Sequence, residues 1–489
     1  MLNILFIIEI FLLGLLTFFF VPTSDDLYFR YAENYNQYGN IFVDTLYYGN
    51  GRLLGNLFAF IFSRCPQVFY LLEMILIPLC ALAFEKVVEV KNSRVLIMAL
   101  FLLQPLRLFS ETVAFMCTFI NYALPIIFFV FSLFLLKLST NLRGIKMCCC
   151  FVMIAILGVA EELFNEAASL VFIFAILFLL LEKRNRNAQH IVALVSNIIG
   201  CLLMFLYKFY IDYSLTYVGQ RPESYRRTLF SCGGIKNWLI SICLTNTRFL
   251  IVTINIMVVF FTILFILLFK VIRKDLSYAQ KKKKLIVASV MYYLSYTIVL
   301  FWIHYFGDNF IMGGISDLLF FLSALILLCC MFGYIINIYS LIKAFVLELI
   351  SKKERLYVYF VLLLIGISFA PFLVVSPCGY RCLFLTMFLI ATLFVIIYKY
   401  LIVLYEVNLG KSLVALALIV ILNTAILSVN YSSHKAVFNY KMAHLDSEVL
   451  PKIEDKFIYN QADDDFLDSL SGVDHSYVSL REFKQLKGK

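Results

Sequence analysis

A chain of 489 residues that is 63% hydrophobic and 15% charged, with a mean hydropathy of +0.92, has too much apolar surface for a water-soluble core, so lipid is the solvent expected for most of it. The net charge of +10 is concentrated in short loops, and no nucleic-acid partner is needed to explain it. The 13 cysteines fall mostly within apolar spans, and no CxxC pair or His/Cys ligand spacing argues for zinc or redox chemistry.

Taken in chain order, the apolar runs predict about thirteen membrane-spanning helices of roughly 20 residues each. They lie near 2–22, 66–84, 94–110, 120–137, 147–160, 167–182, 190–208, 248–270, 285–303, 316–342, 357–375, 382–400 and 412–430. The first lacks a basic leader and a small-residue cleavage site, so it reads as a retained helix rather than a signal peptide. The 50 phenylalanines and 30 tyrosines suit lipid-facing surfaces and interfacial belts. The loops "EKVVEVKNSR", "KLSTNLRGIK", "EKRNRN", "KVIRKDLSYAQKKKK" and "SKKER" all fall on one side, which the positive-inside rule makes cytoplasmic. The N-terminus is then cytoplasmic and the C-terminus extracytoplasmic. A transmembrane domain over 1–430 is expected, with outer loops 23–65 and 209–247, followed by a short extracytoplasmic tail over 431–489.

The first outer loop opens "TSDDLYFR". Thr23 and Asp26 fit a capping box, and acidic residues in a first turn suit the helix dipole. A cap can occupy Asp26 and leave Asp25 free. Leu27, Tyr28, Tyr31, Ala32, Tyr35 and Tyr38 recur at helical spacing and predict an interfacial helix. In "YYGNGR", Gly49 and Gly51 permit a tight turn around Asn50, and Arg52 then meets the membrane surface, either snorkelling or binding a lipid phosphate.

Farther along, Asn121-Tyr122 stands where a helix re-enters the membrane. "GVAEELFNEA" crowds Glu161, Glu162 and Glu166 into an outward turn; it reads as a solvated loop, or as a costly acidic group at membrane depth that needs a polar cavity, a cation or a basic partner. Arg381, and the cluster Arg221, Arg226 and Arg227, are further candidate phosphate ligands. His304 and Asp308 are weaker candidates. Glu9, Glu73 and Lys208 read as isolated or near span ends. Cys378 and Cys382 are spaced closely enough for a disulfide.

The order of these motifs (an Asp-Asp loop after the first helix, Asn-Gly-Arg, Asn-Tyr, a Gly…Asn-Glu turn and a late Tyr-Arg) resembles the bacterial polytopic DUF6056 family and, more broadly, the GT-C-fold membrane glycosyltransferases. The resemblance covers most of the membrane region, but not the tail after 431. It implies an all-α polytopic protein with a GT-C-like bundle, interfacial helices in its outer loops and a place in the bacterial cytoplasmic (inner) membrane. Asp25 or Asp26 matches the acidic motif that carries the catalytic carboxylate. Asn50 and Arg52, Asn121 and Tyr122, and Glu166 match the binding elements. Phe115 stands where an aromatic Trp is expected, and the Glu161-Glu162 pair departs from the pattern.

The activity implied is transfer of a sugar from a polyprenyl-phosphate donor to a glycan acceptor, with inversion at the anomeric carbon. A divalent cation, Mg2+ or Mn2+, held near Asp26 and Glu166 is compatible with the chemistry, although no ligand spacing demands one. Two other classes share the many spans and basic outer loops. A polysaccharide polymerase or ligase would rely on the arginines of 221–227 and dispense with the aspartates. A lipid-linked glycan flippase or transporter would carry charges inside its spans.

Overall fold

The computed structural model describes residues 2–22, 26, 29, 52–104, 109–140, 142–182, 187–217, 227–228, 257–274, 281–311, 336, 339–370, 375–376 and 380–443. They form an all-α membrane protein. Five helices among the described residues are long and apolar enough to cross a membrane, at Pro66–Val88, Met116–Ser139, Ala188–Tyr207, Arg381–Tyr405 and Gly410–Ser432. The count of about thirteen is not reached among them, because several expected spans form shorter helices or fall partly outside the described residues.

The chain divides into two compact units. The first comprises residues 1–87, 91–224 and 417–489. It contains α1 (Leu2–Phe18), α2 (Leu53–Arg64), α3 (Pro66–Val88), α4 (Arg94–Leu102), α5 (Met116–Ser139), α6 (Ile145–Glu162), α7 (Glu166–Leu181) and α8 (Ala188–Tyr217), together with α12 (Gly410–Ala443) from Ala417 onward. Helix α2 occupies a stretch expected to be loop; at 12 residues it is too short to read as a span. It buries Gly55, Asn56, Ala59 and Ser63, a face of small residues. Helix α4 is apolar all round and buries every residue from Val95 to Leu102, as such a helix must.

Many of the phenylalanines expected at the lipid surface lie in this core instead. Phe129 stacks on Phe172 with centroids 4.3 Å apart, and Phe164 is met edge-on by Phe58 and Phe128. Helices α6 and α8 approach closely because each offers a glycine to the other. A Cβ on Gly200 would lie 2.6 Å from the Val159 carbonyl, and one on Gly158 would overlap Ser196.

The second unit comprises 88–90 and 225–416. It holds helical residues 257–274, then α9 (Lys281–Ile311), α10 (Lys352–Phe369) and α11 (Phe384–Tyr405), with a two-residue antiparallel pairing of β1 (Arg227–Thr228) with β2 (Val375–Ser376). The basic loops of the sequence find backbone partners here. Lys270 donates to the Asn408 carbonyl at 3.0 Å and Lys274 to the Tyr405 carbonyl at 2.9 Å, just past the end of α11. Ser351 and Glu354 form a reciprocal capping box at the start of α10.

The last apolar run ends at Ser432, close to the expected 430, but its helix does not end there. Helix α12 continues to Ala443, since nothing between Tyr431 and Ala443 is Gly or Pro, and the length that spans a bilayer does not limit the helix.

Candidate functional site

The first unit joins four of the short sequence motifs into one hydrogen-bonded network. Its floor is the start of α5. The chain there is irregular, with π-helical turns at Ser110–Ala114 and Phe119–Ala123, a deformation that recurs at functional sites. Asn121 and Tyr122 lie in the second of these turns. The Asn121 amide donates to the Cys117 carbonyl at 2.7 Å. Asn165, the N-cap of α7, accepts the Ala167 amide through its side-chain oxygen at 2.9 Å and donates its own amide to the Asn121 carbonyl at 3.2 Å.

Capping by Asn165 fixes the direction of Glu166, the next residue. Arg52, at the N-cap of α2, meets it with a forked contact, Nε to Oε2 at 3.0 Å and Nη2 to Oε1 at 3.3 Å. The third guanidinium nitrogen, Nη1, donates to the Tyr122 hydroxyl at 3.3 Å, and the guanidinium carbon lies 5.2 Å from the Tyr122 ring centroid. Burial alone would favour a neutral Arg52. The Glu166 carboxylate and the Tyr122 hydroxyl outweigh it and hold the guanidinium above its ordinary value, so it stays charged.

Two backbone links close the cluster. The Leu54 amide donates to the Leu163 carbonyl at 3.2 Å, tying α2 to the turn before α7. Gly55 lies directly against Asn121, and any Cβ there would overlap the Asn121 side-chain oxygen.

Asp26 enters from the end of the first outer motif. It is fully buried and accepts the Cys117 amide at 2.8 Å. That amide belongs to the first turn of α5, whose donors have no intrahelical partner. Asp26 therefore does cap a helix, but one 91 residues downstream. The local capping box with Thr23 cannot be placed, because Thr23 lies outside the described residues.

The other expected site residues are distributed as follows. Asp25, Asn50 and Arg226 lie outside the described residues, as do Arg221 and Cys378. Arg227 is in β1, and Arg381 is half-buried in the turn Tyr380–Leu383 before α11; both belong to the second unit. Glu161 and Glu162 are fully buried at the end of α6 rather than in a solvated turn, and Ser132 donates to Glu161 at 3.1 Å. Of the three carboxylates in that stretch, Glu166 is the one with a basic partner among the described residues.

Among the described residues, no three His, Cys, Asp or Glu side chains come close enough to hold a metal ion. Glu166, weighed with Asp26 for a cation, is committed to Arg52.

One carboxylate read as isolated proves otherwise. Glu73 on α3 is fully buried and interacts electrostatically with Asp26. The signal was present in the sequence: Tyr70 and Glu73 are three residues apart on one helix face, and an acid within an apolar run is costly without a role.

No family model matches the chain, and no curated protein or solved structure matches it either.

Proposed function

We propose that the chain is a membrane glycosyltransferase that moves a sugar from a polyprenyl-phosphate donor to a cell-surface or lipid-linked glycan on the outer face of the bacterial cytoplasmic membrane. The observation that carries this reading is the convergence of Asp26, Asn121, Tyr122, Glu166 and Arg52 in one buried network. Five residues of four separate short motifs, from the Asp-Asp loop to the Asn-Glu turn, meet in space in a way that simple helix capping would not require.

In this mechanism Asp25 or Asp26 takes the proton of the acceptor hydroxyl as general base. The freed oxygen lone pair forms the bond to the anomeric carbon from the face opposite the leaving group. The bond from that carbon to the lipid phosphate breaks with its electron pair on the phosphate oxygen, so configuration inverts. Arg52 stabilises the charge on that phosphate. Phosphate must then compete with Glu166 for the Arg52 fork, which makes Glu166 a placeholder for the anion and Tyr122 the group that keeps the guanidinium aimed.

The test is replacement of Asp25 and Asp26 singly by Asn, with sugar transfer measured in membranes that contain matched amounts of protein. Loss of transfer in at least one variant is expected. Full transfer in both would contradict the assignment.

A further inference from the structure

One end of the second unit carries a surface of lysines that sugar transfer leaves unused. Three segments meet there. Lys281, the first residue of α9, donates to the Ala344 carbonyl at 3.5 Å, and its ammonium lies 5.4 Å from the Phe345 ring centroid. The Tyr405 hydroxyl, at the end of α11, donates to the Phe345 carbonyl at 3.0 Å. Ala344 and Phe345 belong to the turn Lys343–Leu347, which leads within a few residues to Ser351, the cap of α10. The starts of α9 and α10 are thereby held at the same end of the unit.

Lys282, Lys283, Lys284, Lys343, Lys352 and Lys353 are all exposed at this end. Helix stabilisation does not account for them. A helix start favours acids, yet α9 opens on four lysines with no acidic residue in its first turn. Pairing within the protein does not account for them either. Lys270 and Lys274 fold onto backbone carbonyls. By contrast, Lys282, Lys283, Lys284, Lys343 and Lys352 pair with no carboxylate among the described residues. The two acids of these segments, Glu348 and Glu354, cannot balance six lysines, and Glu354 already accepts the Ser351 amide at 2.9 Å.

The residues that follow the lysines indicate which anion fits. About one turn farther along each helix, the exposed face becomes apolar. On α9, Lys283 is followed at helical spacing by Ile286, Val290 and Leu294; on α10, Lys352 is followed by Leu356, Tyr359 and Leu363, and all six are exposed. In a membrane protein such faces meet acyl chains, which sets the ammonium groups at headgroup level.

We propose that this end of the second unit binds anionic phospholipid. Its lysines take the headgroup phosphates, and the apolar faces of α9 and α10 lie along the chains. Lysines on three segments exceed what one phosphate can engage. A lipid with two phosphates in one headgroup, the cardiolipin class, therefore binds more tightly than a lipid with one. Lipid binding goes beyond the transferase reading and does not rest on it.

The experiment is native mass spectrometry of the full-length protein in detergent, titrated with cardiolipin, phosphatidylglycerol or phosphatidylcholine. Affinity should fall in that order. Replacing Lys282, Lys283 and Lys284 together by Gln should weaken cardiolipin binding about tenfold or more, since each lysine near an anionic surface contributes about fivefold. The same three positions changed to Arg should retain it, which separates charge from fold. The double variant Lys343→Gln, Lys352→Gln should weaken it about tenfold. Equal affinity for cardiolipin and phosphatidylcholine, or unchanged cardiolipin affinity in the Gln variants, overturns the proposal. Should the triple Gln variant fail to fold, the double variant decides alone. Displacement of cardiolipin by equimolar inorganic phosphate assigns the patch to a soluble anion and overturns the proposal equally. Sugar transfer plays no part in this readout, so the two readings fail separately.

Discussion

The ion pair between Arg52 and Glu166 is where charge, geometry and position meet most tightly. Both side chains are largely shielded, 8% and 19% exposed, and the contact is forked. Removing one partner leaves the other charged in a dry setting, at a cost of about 3–5 kcal/mol. Arg52→Met and Glu166→Gln should therefore each lower the melting temperature in detergent. The double variant should lose less than the sum, since neither charge is then stranded. Additive losses would mean that the pair does not interact as drawn. Arg52→Lys separates fork from charge: a single ammonium cannot engage Oε1, Oε2 and the Tyr122 hydroxyl in the same planar arrangement. At this scale the sequence was informative about residue types and poor about partners. Arg52 and Glu166 stood out separately as polar residues at membrane margins. Nothing in their separation of 114 positions announced that they would satisfy each other. Glu73 was set aside because Asp26, the carboxylate that acts on it electrostatically, lies in another motif.

Close approach between elements is a matter of a few glycines. On Gly200 a Cβ would meet backbone of α6, at 2.6 Å from the Val159 carbonyl and 3.0 Å from its Cα. Backbone cannot give way as a flexible side chain can, so Gly200→Ala should destabilise by about 1–3 kcal/mol. Gly366 in α10 has nothing within 4 Å of its Cβ position. Gly366→Ala should be neutral or stabilise by about 0.5–1 kcal/mol, because alanine is the better helix former. Paired thermal unfolding measurements decide it; equal effects at the two sites would show that helix propensity alone governs both. The elements themselves were readable from hydropathy where they are long, as at Pro66–Val88 and Gly410–Ser432. Helix α2 escaped because 12 residues of apolar chain between polar stretches give no length signal. The π-turns at Ser110–Ala114 and Phe119–Ala123 escaped because a one-residue change in helical pairing leaves no mark on length or hydropathy.

Across the whole molecule, membrane residence follows from composition, and the site follows from how the first unit folds. Its polar groups are buried in a bundle whose other surfaces are apolar, with Ile7, Phe11 and Phe18 of α1 and Leu202 and Leu206 of α8 turned outward. Buried acids in such a setting are costly to keep, and the joining of Asp26 and the Arg52–Glu166 pair in one hydrogen-bonded network is the physical argument for chemistry there. The reading of the chain as a sugar transferase draws together this placement and the motif order. The most direct measurement is mass analysis of cell-surface and lipid-linked glycans from cells with and without the protein, complemented by wild type or by the Asp25→Asn, Asp26→Asn double variant. The account predicts glycans that lack a single sugar in its absence, restored by the wild type and not by the variant. Glycans of unchanged mass, or a loss of long chains with every sugar unit intact, would contradict it.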